Sequence, residues 1–171
     1  MKLGANKLDT ELPSKRIGFC RNAARQLLQE FKKFYGDIPL PVPIDDIAKF
    51  KGYEVHLLEN FDDELSALVN PEDKCIMINK KHHPVRQRFS IGHELGHICL
   101  GHPPEHDSTK EELKLYNAEA DTFAAELLIP LEKLKIEIKK IKNFKSLADI
   151  FKVSEQAITI KILEQNLLGK I

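Results

Sequence analysis

The chain has 171 residues, of which 42% are apolar, 26 basic and 26 acidic. That is enough for one domain with a small appendage and a buried core. A formal net charge of zero gives no global field favouring nucleic acid. No run approaches the roughly 20 apolar residues of a bilayer-spanning helix, and Met1–Lys7 lacks the apolar stretch of a signal peptide. Cys20, Cys75 and Cys99 form an odd set with no paired spacing, as reduced thiols do, so a cytoplasmic protein without membrane attachment is expected.

In chain order, residues 1–16 are polar and read as a flexible N-terminus. Ile17, Cys20, Ala24, Leu27, Phe31 and Phe34 recur at helical spacing and predict an amphipathic helix that closes near Gly36. Pro39, Pro41 and Pro43 then impose an extended linker. A short helix follows from Pro43 or Ile44 to about Gly52. Strands are predicted at Tyr53–Leu58, Glu64–Val69 and Lys74–Asn79, the last two joined as a hairpin by the turn-forming Asn70-Pro71-Glu72-Asp73. The fold class is therefore α+β, a small antiparallel sheet packed on helices.

The segment Pro84–Leu100 carries the chemistry. His93 and His97 stand at i and i+4 of a predicted helix, stacked on one face, where both imidazoles can reach one Zn²⁺. Glu94 lies beside them, offset enough to stay off the metal and close enough to act as general base toward a water. Ile91, Leu95 and Ile98 form an apolar stripe on the opposite side, so the histidines face a cleft. Gly96, costly inside a helix by about 1 kcal/mol relative to alanine, implies close passage of a strand backbone or a substrate.

A catalytic zinc needs a third protein ligand and one open position. Asn117–Pro130 reads as a second helix, and Glu119, flanked by the small Ala118 and Ala120, is the expected ligand; Glu126 and Asp121 are the competing carboxylates. His102, His106, Tyr116 and Tyr53 are candidates for stabilising an oxyanion. Pro103–Lys110 reads as a flap or a passive connector, and Cys99 as a packing residue. The strands at 65–69 and 74–79 are the two candidates for an edge that holds an extended substrate.

With these residues in place, Arg86–His102 followed by Glu119–Pro130 resembles the ImmA/IrrE family of metallopeptidases. The upstream helix, Pro43–Ala48 and Gly52–Val55 also resemble that family, and the similarity covers about four fifths of the chain. The resemblance implies a zincin-like core with a gluzincin-like zinc site of His93, His97 and Glu119, with Glu94 as catalytic base. It also implies a bacterial or phage-encoded endopeptidase whose partner is a helix-turn-helix repressor encoded nearby. Mn²⁺, Fe²⁺ or Co²⁺ suits the same ligands. One departure is visible: thermolysin-type gluzincins place an acidic residue about one turn after the third ligand, bracing a ligand histidine. Here that turn offers Thr122 and Phe123, while Asp121 is expected on another side of the helix and is kept as a candidate for bracing a ligand from outside or for a salt bridge.

Residues 17–130 are thus expected to be the metallopeptidase domain and 131–171 a C-terminal helical segment packed on it. That segment holds nine lysines and five acidic residues, and Ser146–Leu163 has the cadence of a helix-turn-helix, with Ser154 as a helix cap. The alternative function is accordingly a non-catalytic metal-containing regulatory or DNA-binding module. Ala157, Ile158, Ile160 and Ile162 leave its second helix few groups to read bases, which favours packing or repressor docking.

Overall fold

The computed structural model describes residues 14–171. The expected flexible terminus, residues 1–16, lies outside the described residues as far as 13; Ser14 to Arg16 form the first turn of α1, Ser14–Tyr35. The described chain then runs through α2 (Ile44–Phe50), β1 (Glu54–Leu58), β2 (Ala67–Asn70), β3 (Cys75–Asn79), α3 (Pro84–Leu100) and α4 (Lys110–Leu128). It ends with α5 (Leu131–Lys140), α6 (Phe144–Phe151) and α7 (Glu155–Glu164).

The α+β class holds, with one change of detail in the sheet. β2 and β3 form the expected antiparallel hairpin, Ala67 opposite Ile78 and Asn70 opposite Cys75. The turn between them is closed by the Asn70 side chain, which accepts from the backbone N–H groups of Glu72 and Asp73. β1 instead pairs with β3 in parallel, Glu54 opposite Cys75 and Leu58 opposite Asn79, so the sheet is mixed, in the order β1-β3-β2. β3 is therefore the central strand and is excluded as a substrate-holding edge; of the two strands proposed for that task, only β2 lies at an edge.

One apolar core joins the sheet to the helices. Ile76 and Ile78 of β3, Ile91 and Leu95 of α3, Phe123 and Leu127 of α4, and Phe151 and Ile158 of the C-terminal helices belong to it. α3 starts at His83-Pro84, where the His83 ring accepts from the Val85 N–H and the proline occupies the first turn, which needs no N–H. It stops at Gly101, left-handed with φ 71°, a conformation that glycine adopts without strain. α4 begins earlier than its sequence signal suggests, at a reciprocal capping box: Thr109 accepts from the Glu112 N–H while the Glu112 carboxylate accepts from Thr109.

α3 and α4 pack with their backbones nearly touching. A Cβ built on Gly96 would lie 2.9 Å from Ala120 Cα and 3.1 Å from its carbonyl oxygen. One turn away, a Cβ built on Gly92 would meet the Ala124 methyl at 3.2 Å. The close passage expected at Gly96 is real, but the neighbour is helix α4, neither a strand nor a substrate.

Candidate metal centre

The approach of α3 to α4 decides which side chains meet. His93 and His97 come together as their spacing requires, Nε2 to Nε2 at 3.0 Å. Two donors bound at about 2.0–2.1 Å to one tetrahedral ion would stand a little over 3 Å apart.

The other nitrogen of each ring is already engaged. His93 Nδ1 is 2.8 Å from Asp121 Oδ1. A carboxylate only accepts, so this nitrogen carries the proton and Nε2 keeps its lone pair. His97 Nδ1 is 3.0 Å from His102 Nδ1, and His102 Nε2 is 3.0 Å from Glu119 Oε2. Read from the carboxylate outward, Glu119 accepts from His102 Nε2–H, His102 Nδ1 then accepts from His97 Nδ1–H, and His97 Nε2 is left as a lone pair. Two lone pairs consequently face each other across 3.0 Å. In that neutral state they repel, and either a proton or a divalent metal between them satisfies both.

The electrostatics favour neutral rings at His97 and His102 but not at His93. Burial, then the neighbouring His93 and His102, lowers the His97 pKa to about 4. Burial likewise lowers that of His102, against the pull of Glu119. At His93 burial works the same way, but Asp121, Glu94 and Asn117 outweigh it and raise the pKa. Glu94 is half-buried beside His93, and desolvation, with Glu105 adding to it, raises its carboxyl above the usual range. A raised pKa suits a general base better than an ordinary carboxylate does.

Glu119 does not join the histidine pair. Its carboxylate is fully buried and is held by the Arg16 guanidinium, with Arg16 Nε 2.7 Å from Oε1, and by His102. Helical phase accounts for this placement. Asp121 on His93 fixes the face of α4 turned to the site, and Glu119 lies about 200° around the axis from that face. Glu126, the competing candidate, is buried on the far stretch of α4 and paired with Arg25 at 2.7 Å and with Lys161. Asp121, the candidate for an outer bracing or salt-bridge role, contacts His93, on the face of α4 turned to the site. Among the described residues, no three His, Cys, Asp or Glu side chains are grouped to hold a metal ion.

Other candidates fall into place by contact. His102 is swung back against His97 by the left-handed turn at Gly101, its backbone N–H bonding to the His97 carbonyl, and its ring stacks on Tyr116 with centroids 4.5 Å apart. Sequence reasoning offers His102 only as an oxyanion donor; Gly-His directly after the motif helix is the signal for its bracing position. Arg16 escapes sequence reasoning because it sits in a segment that reads as loose. His106 is exposed beside Asp107, and Tyr53 is buried in the core. Desolvation pushes the Cys99 thiol up to about 11, which suits packing and no reactive role.

Residues 49–163 match the sequence pattern of the IrrE N-terminal-like domain, a peptidase family. No curated protein matches the chain. Among solved structures, a Mycobacterium tuberculosis transcriptional regulator is similar, with a TM-score of 0.62 at 14% identity over 84% of this chain and 50% of that one. The chain thus spans half the length of that protein, and the likeness is one of fold.

Proposed function

Because the chain belongs to the IrrE N-terminal-like domain family of peptidases, we propose that it is a metal-dependent endopeptidase hydrolysing a bond in one specific protein partner. The observation that carries this reading is the pair of Nε2 atoms facing each other at 3.0 Å while both Nδ1 atoms are engaged elsewhere. In this reading His93 and His97 hold a divalent ion, zinc first. Bound there, the ion supplies Lewis acidity toward the scissile carbonyl and lowers the pKa of water. Glu94 takes the proton of the attacking water onto its carboxylate and returns it to the leaving amine. Asp121 and the His102–Glu119 pair keep both imidazoles in the tautomer the ion requires.

The proposed partner, a helix-turn-helix repressor encoded nearby, and a cytoplasmic setting rest on the family resemblance. Among the described residues no helix is long and apolar enough to cross a membrane. We keep residues 17–130 as the proposed peptidase unit and 131–171 as a segment packed on it. The DNA-binding alternative fares worse. α7, the supposed recognition helix, contains one cation, Lys161, and that residue is buried against Glu126. Exposed Ile160 and Leu163 offer apolar surface in its place.

The test is incubation of the purified chain with Zn²⁺ or Mn²⁺ and such a repressor, read by intact mass. Wild type should yield two fragments. Glu94→Gln should retain metal and lose cleavage, whereas His97→Ala should lose both. Cleavage by Glu94→Gln at the wild-type rate would remove the mechanism.

A further inference from the structure

We infer that the third protein position at this centre belongs to Asn117, which makes the site a neutral, weakly holding one. The inference rests on the metal reading above and deepens it. Asp121 defines the face of α4 turned toward the histidines, because its carboxylate reaches His93 Nδ1 at 2.8 Å. The residue one turn earlier on that face is Asn117, at i−4. Asn117 stands near enough to both rings to favour their charged forms, and it is exposed. Asn117 and Asp121 are the two α4 residues that bear on both rings, and with Asp121 engaged on His93 Nδ1 the position one turn earlier is the one left to face the metal side.

Glu119 cannot take that place without dismantling its surroundings. Its carboxylate would have to leave Arg16 and His102, and α4 would have to roll about half a turn. The contact of Gly96 with the Ala120 backbone leaves no room for the roll.

The chemistry follows from the charge count. Two imidazoles and an amide oxygen bring no negative charge to a divalent ion, whereas two imidazoles and a carboxylate bring one. An amide oxygen is also a poorer zinc donor than a carboxylate, and the usual catalytic sets draw their third ligand from His, Glu or Cys. The ion is therefore held loosely and exchanges with the surrounding pool, so occupancy, and any activity that depends on it, follows the supply of metal.

The experiment is a competition titration with a chromophoric chelator, using Zn²⁺ and separately Mn²⁺, on wild type, Asn117→Glu, Asn117→Ala and His97→Ala. Circular dichroism checks that each folds, which an exposed helical position should permit. Asn117→Glu should tighten Zn²⁺ binding by about tenfold or more, Asn117→Ala should weaken it, and His97→Ala should abolish it. Tight Zn²⁺ binding by Asn117→Glu beside undetectable binding by wild type would place residue 117 at the centre but overturn the asparagine itself as a ligand. Metal bound by wild type in a His97-dependent way but indifferent to both Asn117 substitutions would overturn the inference and leave the metal reading standing. Binding by neither wild type nor Asn117→Glu would overturn both.

Discussion

A methyl group added at residue 96 has nowhere to go. It would stand 2.9 Å from a backbone atom of Ala120, closer than any real contact, and backbone cannot rotate aside as a side chain can. Alanine would gain about 1 kcal/mol in helix propensity over glycine, but forcing a methyl into a packed interface costs about 1–3 kcal/mol, and against backbone the upper part of that range applies. Gly96→Ala should therefore destabilise the fold by about 1–2 kcal/mol on balance. Gly18, inside α1, is the control, since a Cβ added there would meet nothing within 4 Å: Gly18→Ala should stabilise by about 0.5–1 kcal/mol. Urea denaturation of both variants decides, and equal shifts would refute the packing account. The same pair of helices shows what is legible at this scale. His93, Glu94 and His97 announce themselves because their spacing is local. Which of Asn117, Glu119 and Asp121 turns toward the histidines depends on the phase of α4 against α3, where a step of two residues separates a solvent-facing amide from a buried carboxylate.

Elements are legible where their signals are contiguous. The motif helix, its proline start and its glycine stop, and the β2–β3 hairpin follow from neighbouring residues. The parallel pairing of β1 does not, since it depends on residues 59–66 carrying the chain to the far edge of the sheet before the hairpin returns β3 to the middle. The start of α4 is also set by a pair that periodicity does not single out, Thr109 and Glu112; Thr109→Ala should cost about 1 kcal/mol, read by denaturation. The join between α1 and α5 is electrostatic: Asp37, just past α1, lies 3.1 Å from Lys32 and 2.7 Å from Lys133. Hydrogen bonds and charge from Lys133 and then Lys32 lower its pKa to about 2. Because the folded value lies below the unfolded one, what this contact contributes is complete above about pH 3.8 and is lost as pH falls through about 2. Asp37 is well exposed, so the contribution is small and fades with salt. An NMR titration of its carboxyl carbon should give a midpoint near 2, and a midpoint near 3.8 would show that the contact does not persist in solution.

Over the whole molecule, the C-terminal helices are secured to α4 by a buried ion pair that no periodicity reveals. Lys161 on α7 and Glu126 on α4 are both nearly inaccessible, with Arg25 also bonded to Glu126. Desolvation lowers the Lys161 pKa despite that partner. Removing either member should not cost the same. Lys161→Met leaves Glu126 paired with Arg25, whereas Glu126→Leu strands an ammonium group in the core, a loss of about 3–5 kcal/mol. Denaturant midpoints should rank Glu126→Leu well below Lys161→Met, and the reverse order would contradict this picture. The line of lysines in 131–171 suggests nucleic acid, but burial gives the α7 lysine a structural task. One feature reaches further. Asp121 restrains His93 and Glu119, through His102, restrains His97, and the two carboxylates stand about 200° apart around a single axis. A turn of α4 would disturb both restraints at once, so the glycine seam that stops this helix from turning is also what keeps the two rings aligned.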